Sequence, residues 1–107
     1  MLDIKEQSDF YEASCIVRIE EGLHARPCMG VVNLLQDYPN EFYVAKEIDG
    51  QRDEYVDGKS VTELLLLKAT QDSKLYFFFN RHPKEVKIEQ VREILVGLER
   101  LMNNKYA

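Results

Sequence analysis

The residues Glu21-Gly22-Leu23-His24-Ala25-Arg26-Pro27-Cys28 mark the point where the chain changes from a strand pattern to a helix pattern. Pro27 is favoured in the first turn of a helix, because its missing N–H would have no partner there and its φ is already helical. Apolar side chains then recur at three- and four-residue spacing at Cys28, Val31, Val32, Leu34, Leu35 and Tyr38. The pattern predicts a helix over residues 27–37, with His24 at its N-terminal mouth.

The segments around this helix alternate between apolar and polar residues, as half-buried strands do. Residues 13–19 form the first predicted strand, which leads directly into the His24 loop. Residues 42–48 and 51–56 form a predicted hairpin, since Asp49-Gly50 between them favours a two-residue type I′ turn. Residues 75–79 are apolar on both sides, a pattern that suits a central strand.

Capping and stripe patterns predict two further helices. Ser60 and Glu63 are spaced as a capping box at the start of a helix that runs to about Lys68. The segment 80–83 is expected to open the last helix, whose apolar stripe is Ile88, Val91, Ile94, Leu95, Leu98, Leu101 and Met102. The order βαββαβα predicts an α+β fold, a two-layer sandwich with a four-stranded antiparallel sheet, three helices on one face and the other face open.

The composition is that of one small soluble domain of 107 residues, 45% hydrophobic and 31% charged. A net charge of −5 argues against nucleic-acid binding, which needs a basic surface. The apolar runs are too short to span a membrane and the N-terminus lacks an export pattern, so a cytoplasmic protein is expected. We also predict that it is a monomer. Cys15 and Cys28 fall on apolar faces, which predicts buried, reduced thiols and no disulfide.

His24 has three competing interpretations. It could be an ordinary surface or capping residue, the default for a single histidine. It could be a metal ligand with Cys28, but zinc needs three or four ligands, and neither Cys15 nor His82 has a spacing that would bring it in. It could also be an imidazole that accepts a phosphoryl group, held by the N–H groups of the helix N-terminus and by Arg26.

Six contiguous residues, Gly22-Leu23-His24-Ala25-Arg26-Pro27, resemble the active-site signature of the HPr family, the histidine-containing phosphocarrier proteins of the bacterial sugar phosphotransferase system. Gly58-Lys59-Ser60 is a second matching feature, and the order of elements is also that of the HPr fold. The likeness covers residues 13–102, so the chain divides into an N-terminal extension, 1–12, and an HPr-like domain, 13–107.

The resemblance implies a phosphocarrier and not an enzyme that turns over a substrate alone. His24 would accept a phosphoryl group from enzyme I and pass it to a sugar permease component or another protein. Arg26 and the helix N-terminus formed by Ala25, Arg26 and Pro27 would hold the phosphate. Ser60 would be a site for a regulatory serine kinase, although its capping role already explains it. No cofactor or metal is implied.

Three departures from the family pattern argue against an ordinary carrier, and the third, an altered docking surface, favours an HPr-like regulatory module that docks partners without relaying phosphate. Glu21 stands where the family has a small polar residue, and a carboxylate facing His24 would oppose phosphorylation. The stretch from His24 to Ser60 is a few residues longer than usual. Val61-Thr62-Glu63 replaces a more apolar, glycine-containing segment that docks enzyme I and the kinase. Retention of His24 with Arg26 favours the carrier.

Overall fold

The computed structural model describes residues 3–103. Three strands have seven residues each: β2 (Phe10–Ile16), β3 (Phe42–Ile48) and β6 (Lys74–Asn80). Three have two residues each: β1 (Lys5–Glu6), β4 (Gln51–Arg52) and β5 (Val56–Asp57). The helices are α1 (Ala25–Leu35), α2 (Val61–Leu66) and α3 (Ile88–Asn103).

The strands form one antiparallel sheet in the order β1-β2-β6-β3-β4, and β5 also pairs with β3. Alternate side chains of the three long strands are buried on one face, where Phe77 lies between Ala13 and Val44 in register. The helices pack on this face through one shared core. The α+β architecture with helices on one face is therefore confirmed, and β6 is the central strand that the sequence predicted.

The prediction of one continuous third strand over residues 51–56 is wrong, because this segment is divided into β4 and β5. Asp49 and Gly50 have φ values of 52° and 79°, so the predicted hairpin turn is present. Three residues, 53–55, then lie opposite two residues of β3, which is the arrangement of a β-bulge. The extra residue shifts the register by one and turns Tyr55 toward the open face, where its ring meets Phe78.

The first long strand lies at residues 10–16 and not at the predicted 13–19. Val17 and Ile19 are buried as expected, but they belong to a loop that bonds to the turn before β6. The N–H of Val17 donates to the carbonyl of Ser73, and the N–H of Asp72 donates to that of Val17. Residues 5–6, within the segment assigned to the N-terminal extension, pair with β2 as a short edge strand.

The prediction that residues 80–83 open the last helix was wrong, because α3 begins only at Ile88. The intervening segment is held by tertiary hydrogen bonds. The buried Asn40 donates through Nδ2 to the carbonyls of Asn80 and Lys84, at 2.9 and 2.6 Å. The N–H of Lys87 donates to the Gln90 side chain, which starts the helix there. His82 is exposed in this segment.

The other helices depart from their predicted bounds by one or two residues. α1 begins at Ala25, two residues before Pro27, and ends at Leu35. α2 ends early because Lys68 takes a φ of 50°, a left-handed conformation that does not continue a helix. None of the helices among residues 3–103 is long and apolar enough to cross a membrane.

Candidate functional site

A tight loop between β2 and α1 fixes the position of His24. Gly22 has a φ of 79°, and its N–H donates to the carbonyl of Ile19 at 2.9 Å. The next N–H, of Leu23, donates to the carbonyl of Ala69 at 2.8 Å, and the Leu23 side chain is buried. The loop is therefore attached to the segment after α2 immediately before His24, so the backbone leading to the helix has little freedom.

His24 is the N-cap residue of α1, with extended backbone angles of φ −111° and ψ −171°. Its carbonyl accepts the first helical hydrogen bond, from the N–H of Cys28 at 3.2 Å. Its side chain makes no capping hydrogen bond to the helix and is half-buried. The predicted place directly before the first helical turn is confirmed, while the side chain is less exposed than expected.

His24 lies at the N-terminus of α1, which is the positive end of the helix dipole. Ala25 and Arg26 are exposed at this end, whereas Pro27 is buried and has no N–H to offer an anion. The N–H of Cys28 is already used by the His24 carbonyl. Because the first turn supplies few N–H donors, the guanidinium of Arg26 is the strongest donor that this end of the helix carries.

Glu21 is exposed, as is its neighbour Glu20. Charges that face solvent interact weakly, typically by 0.2–1 kcal/mol for a close pair. Because the Glu21 carboxylate faces solvent, its repulsion of a phosphate on His24 would be small.

Cys15 and Cys28 are buried and free, as predicted. Burial raises the pKa of the Cys28 thiol to about 11. Burial and the nearby Glu99 carboxylate raise that of Cys15 to about 12. Thiols in this state are neither nucleophiles nor metal ligands near neutral pH. Within residues 3–103, no three His, Cys, Asp or Glu side chains form a group that could hold a metal ion.

Ser60 caps α2, as predicted. Its hydroxyl accepts a hydrogen bond from the N–H of Glu63 at 3.2 Å. The reciprocal bond of a capping box is different, since Glu63 Oε1 accepts from the N–H of Asp57 at 3.1 Å and not from Ser60. The Glu63 carboxylate therefore stabilises the turn that leads into the helix.

Replacing Ser60 with alanine should lower the free energy of unfolding by about 1 kcal/mol, the usual effect of a lost N-cap. Chemical denaturation of Ser60→Ala and Ser60→Asp provides the measurement and its matched control, because aspartate caps as well as serine. If Ser60→Ala were as stable as the wild type but lost a phosphoserine signal in cells, Ser60 would be a phosphorylation site first and a helix cap second.

Exposed apolar side chains on α1 and α2 were not identified from the sequence. Met29, Leu65 and Leu66 are 55%, 39% and 65% exposed. The two helices pack against each other, so these side chains extend the surface around the start of α1. The sequence offered one sign of this surface, the apolar run Leu64–Leu67. Only the structure shows that Leu64 is buried in the core while Leu65 and Leu66 are exposed.

Comparison with known proteins gives one family match. A family model described as the PTS HPr component phosphorylation site matches residues 11–96, which include His24 and Ser60. No curated protein gives a significant match to this chain.

Solved structures share the fold. HPr-C-His from Thermoanaerobacter tengcongensis has a TM-score of 0.65 at 19% identity, over 87% of this chain and 96% of that one. A histidine-containing phosphocarrier protein from Mycoplasma has a TM-score of 0.64 at 12% identity, over 85% and 90%. Phosphocarrier protein HPr from Bacillus anthracis has a TM-score of 0.63 at 18% identity, over 82% and 95%.

Proposed function

Because the chain belongs to the PTS HPr family, whose model covers residues 11–96, we propose that His24 accepts a phosphoryl group from an enzyme I-like donor and passes it to a protein acceptor. The family supports a phosphocarrier role in the phosphotransferase system. The single observation that carries the assignment to His24 is its place as the N-cap of α1, next to Arg26, with a side chain that makes no capping hydrogen bond.

The proposed transfer needs a nucleophile that forms a bond weak enough to break again. An imidazole nitrogen has an available lone pair near neutral pH. It attacks phosphorus while the bond between phosphorus and the donor breaks, so the new P–N bond replaces the old bond and the phosphoryl group is conserved. The reverse exchange then delivers the group to the acceptor. The negative oxygens are stabilised by the helix N-terminus and by Arg26.

Both protein partners must reach the half-buried ring of His24. The exposed Met29, Leu65 and Leu66 supply an apolar surface on the two helices beside it, of the kind that mediates protein docking. The family suggests a sugar permease component as the acceptor. It also suggests a serine kinase that acts on Ser60 as a further partner.

The test is incubation of the protein with phosphoenolpyruvate and enzyme I from its own organism. We expect phosphate that is labile in acid and stable in base, the signature of a phosphoramidate. Lack of such phosphate with a donor known to be active would contradict the carrier and favour the regulatory module that docks without relaying phosphate.

Replacing Arg26 with alanine should slow phosphorylation by about ten- to a hundredfold, since hydrogen bonds to charged groups contribute about 1.5–3 kcal/mol. Arg26 is exposed, so the variant should remain folded. Initial rates of phosphate incorporation give the measurement, and circular dichroism checks the fold.

Glu21→Ser is the companion variant, because it removes a charge of the opposite sign from the loop directly before α1. Its rate should stay unchanged or increase. If Arg26→Ala were phosphorylated as fast as the wild type, Arg26 would not be part of the phosphate site.

A further inference from the structure

Two adjoining hollows share side chains of the sheet: one lies on its open face, and the other reaches the start of α2. The first, about 290 Å³, is walled by the rings of Phe10, Tyr43, Tyr55 and Phe78. Phe78 makes T-shaped contacts with the rings of Phe10 and Tyr55, at centroid distances of 5.9 and 4.9 Å. Tyr55 is 59% exposed although it is aromatic. The result is an aromatic hollow on the side of the sheet away from the helices, in which Phe78 is buried and Tyr55 is exposed.

The second hollow, about 410 Å³, shares Tyr43 and Tyr55 with the first and is acidic. Glu41, Asp57 and Glu63 line it. The Tyr43 hydroxyl donates to Glu41 Oε2 at 2.7 Å. This hydrogen bond raises the pKa of Tyr43, with smaller contributions from burial and from the charges of all three carboxylates. The three carboxylates therefore place a negative potential at the point where the two hollows meet.

The basic side chains of this groove, defined as the two hollows together, already have partners. Lys59 Nζ donates to the carbonyl of Tyr38. Arg52 pairs with the buried Glu12 through a contact of 2.5 Å between Nη2 and Oε2. Four acidic residues, Asp9, Glu41, Asp57 and Glu63, line the groove against two basic ones, Lys59 and Arg52, so its net formal charge is −2.

Arg52 shows how this face accommodates a guanidinium group. Its Cζ lies 4.6 Å from the ring centre of Tyr76 and 5.2 Å from that of Phe78, while its N–H groups reach the Glu12 carboxylate. Cation–π contact and a carboxylate partner thus act together on one arginine. Tyr43 and Tyr55, with Glu41 and Asp57 beside them, offer the same two components in the groove.

We propose that this groove binds a peptide segment of another protein that presents an arginine and an aromatic side chain separated by one residue. The aromatic side chain would enter the hollow walled by Phe10 and Phe78, and the guanidinium would lie between Tyr43 and the carboxylates. Nucleic acid is excluded as an occupant, since its phosphates would face those carboxylates. Neither His24 nor Arg26 lines either hollow, so we expect binding to be independent of phosphorylation at His24.

The test is a titration of the ¹⁵N-labelled full chain with the capped peptide acetyl-Phe-Gly-Arg-amide, followed by ¹H–¹⁵N spectra. We expect shifts at Tyr43, Tyr55 and Phe78. Tyr55→Ala and Glu41→Gln should each weaken binding by about two- to fivefold, the scale of an exposed cation–π or charge contact. Acetyl-Phe-Gly-Glu-amide should shift none of these residues.

Val96→Ala and Glu93→Gln are matched controls, since they remove an exposed apolar group and an exposed carboxylate from α3. Both should bind like the wild type. The proposal is overturned if the two peptides bind alike, if the arginine peptide causes no shifts, if the shifts fall on α1 and spare Tyr43, Tyr55 and Phe78, or if Glu41→Gln binds as the wild type does. Should Tyr55→Ala not fold, the Glu41→Gln measurement still decides.

Discussion

His24→Ala is expected to abolish phosphorylation of this chain by phosphoenolpyruvate and enzyme I. The imidazole is the group that would form the P–N bond, and the two buried cysteines have pKa values raised too far to replace it. The loss should not come from unfolding. The His24 side chain makes no capping hydrogen bond, so alanine removes no such bond from the start of α1. Acid-labile phosphate gives the first measurement and thermal unfolding the second.

His82→Ala is the matched control, because the sequence contains two histidines. His82 is exposed, and its nearest carboxylate, Asp9, lies 3.8 Å away with both side chains in solvent. The control should incorporate phosphate at the wild-type rate. Equal labelling of wild type and His24→Ala would show that another residue accepts the phosphoryl group. Loss of label in His82→Ala alone would show that His82 is the acceptor.

Features that depend on near neighbours in the sequence were predictable. The Asp49-Gly50 turn needs positive φ at two adjacent residues, and the Ser60 cap needs an N–H three residues further on. His24 belongs to this group, since a helix end is indicated by the residues on both sides of it. For the same reason, the position of the candidate site was predicted more accurately than the boundaries of the strands.

Features that depend on distant groups were not predictable. The late start of α3 follows from the bonds of Asn40 to Asn80 and Lys84, which are 40 and 44 residues away. β1 is held by Arg81, which donates to Glu6 and to the carbonyl of Gln7. The periodicity of a segment carries no information about such partners. The aromatic groove is a third case, because four separate segments contribute its rings.

Gly22→Ala should lower the free energy of unfolding by about 2–5 kcal/mol, the second large effect expected here. A left-handed residue with a Cβ costs about 1–2 kcal/mol, and an added methyl without space costs about 1–3. A Cβ on Gly22 would lie 2.6 Å from the Ala69 carbonyl oxygen and 3.0 Å from Thr70 Cα, both backbone atoms. The loop would have to move away from the segment that accepts the N–H of Leu23.

Gly50→Ala separates the two causes. Gly50 has the same φ of 79°, but a Cβ there would meet nothing within 4 Å. Its loss of stability should therefore be limited to the conformational cost of about 1–2 kcal/mol. Chemical denaturation of both variants measures the difference, which is the contribution of the close approach to Ala69. Because that approach fixes the loop before His24, Gly22→Ala should also slow phosphorylation, whereas Gly50→Ala should not. Equal losses of stability in the two variants would show that the contact with Ala69 is not what restricts residue 22 to glycine.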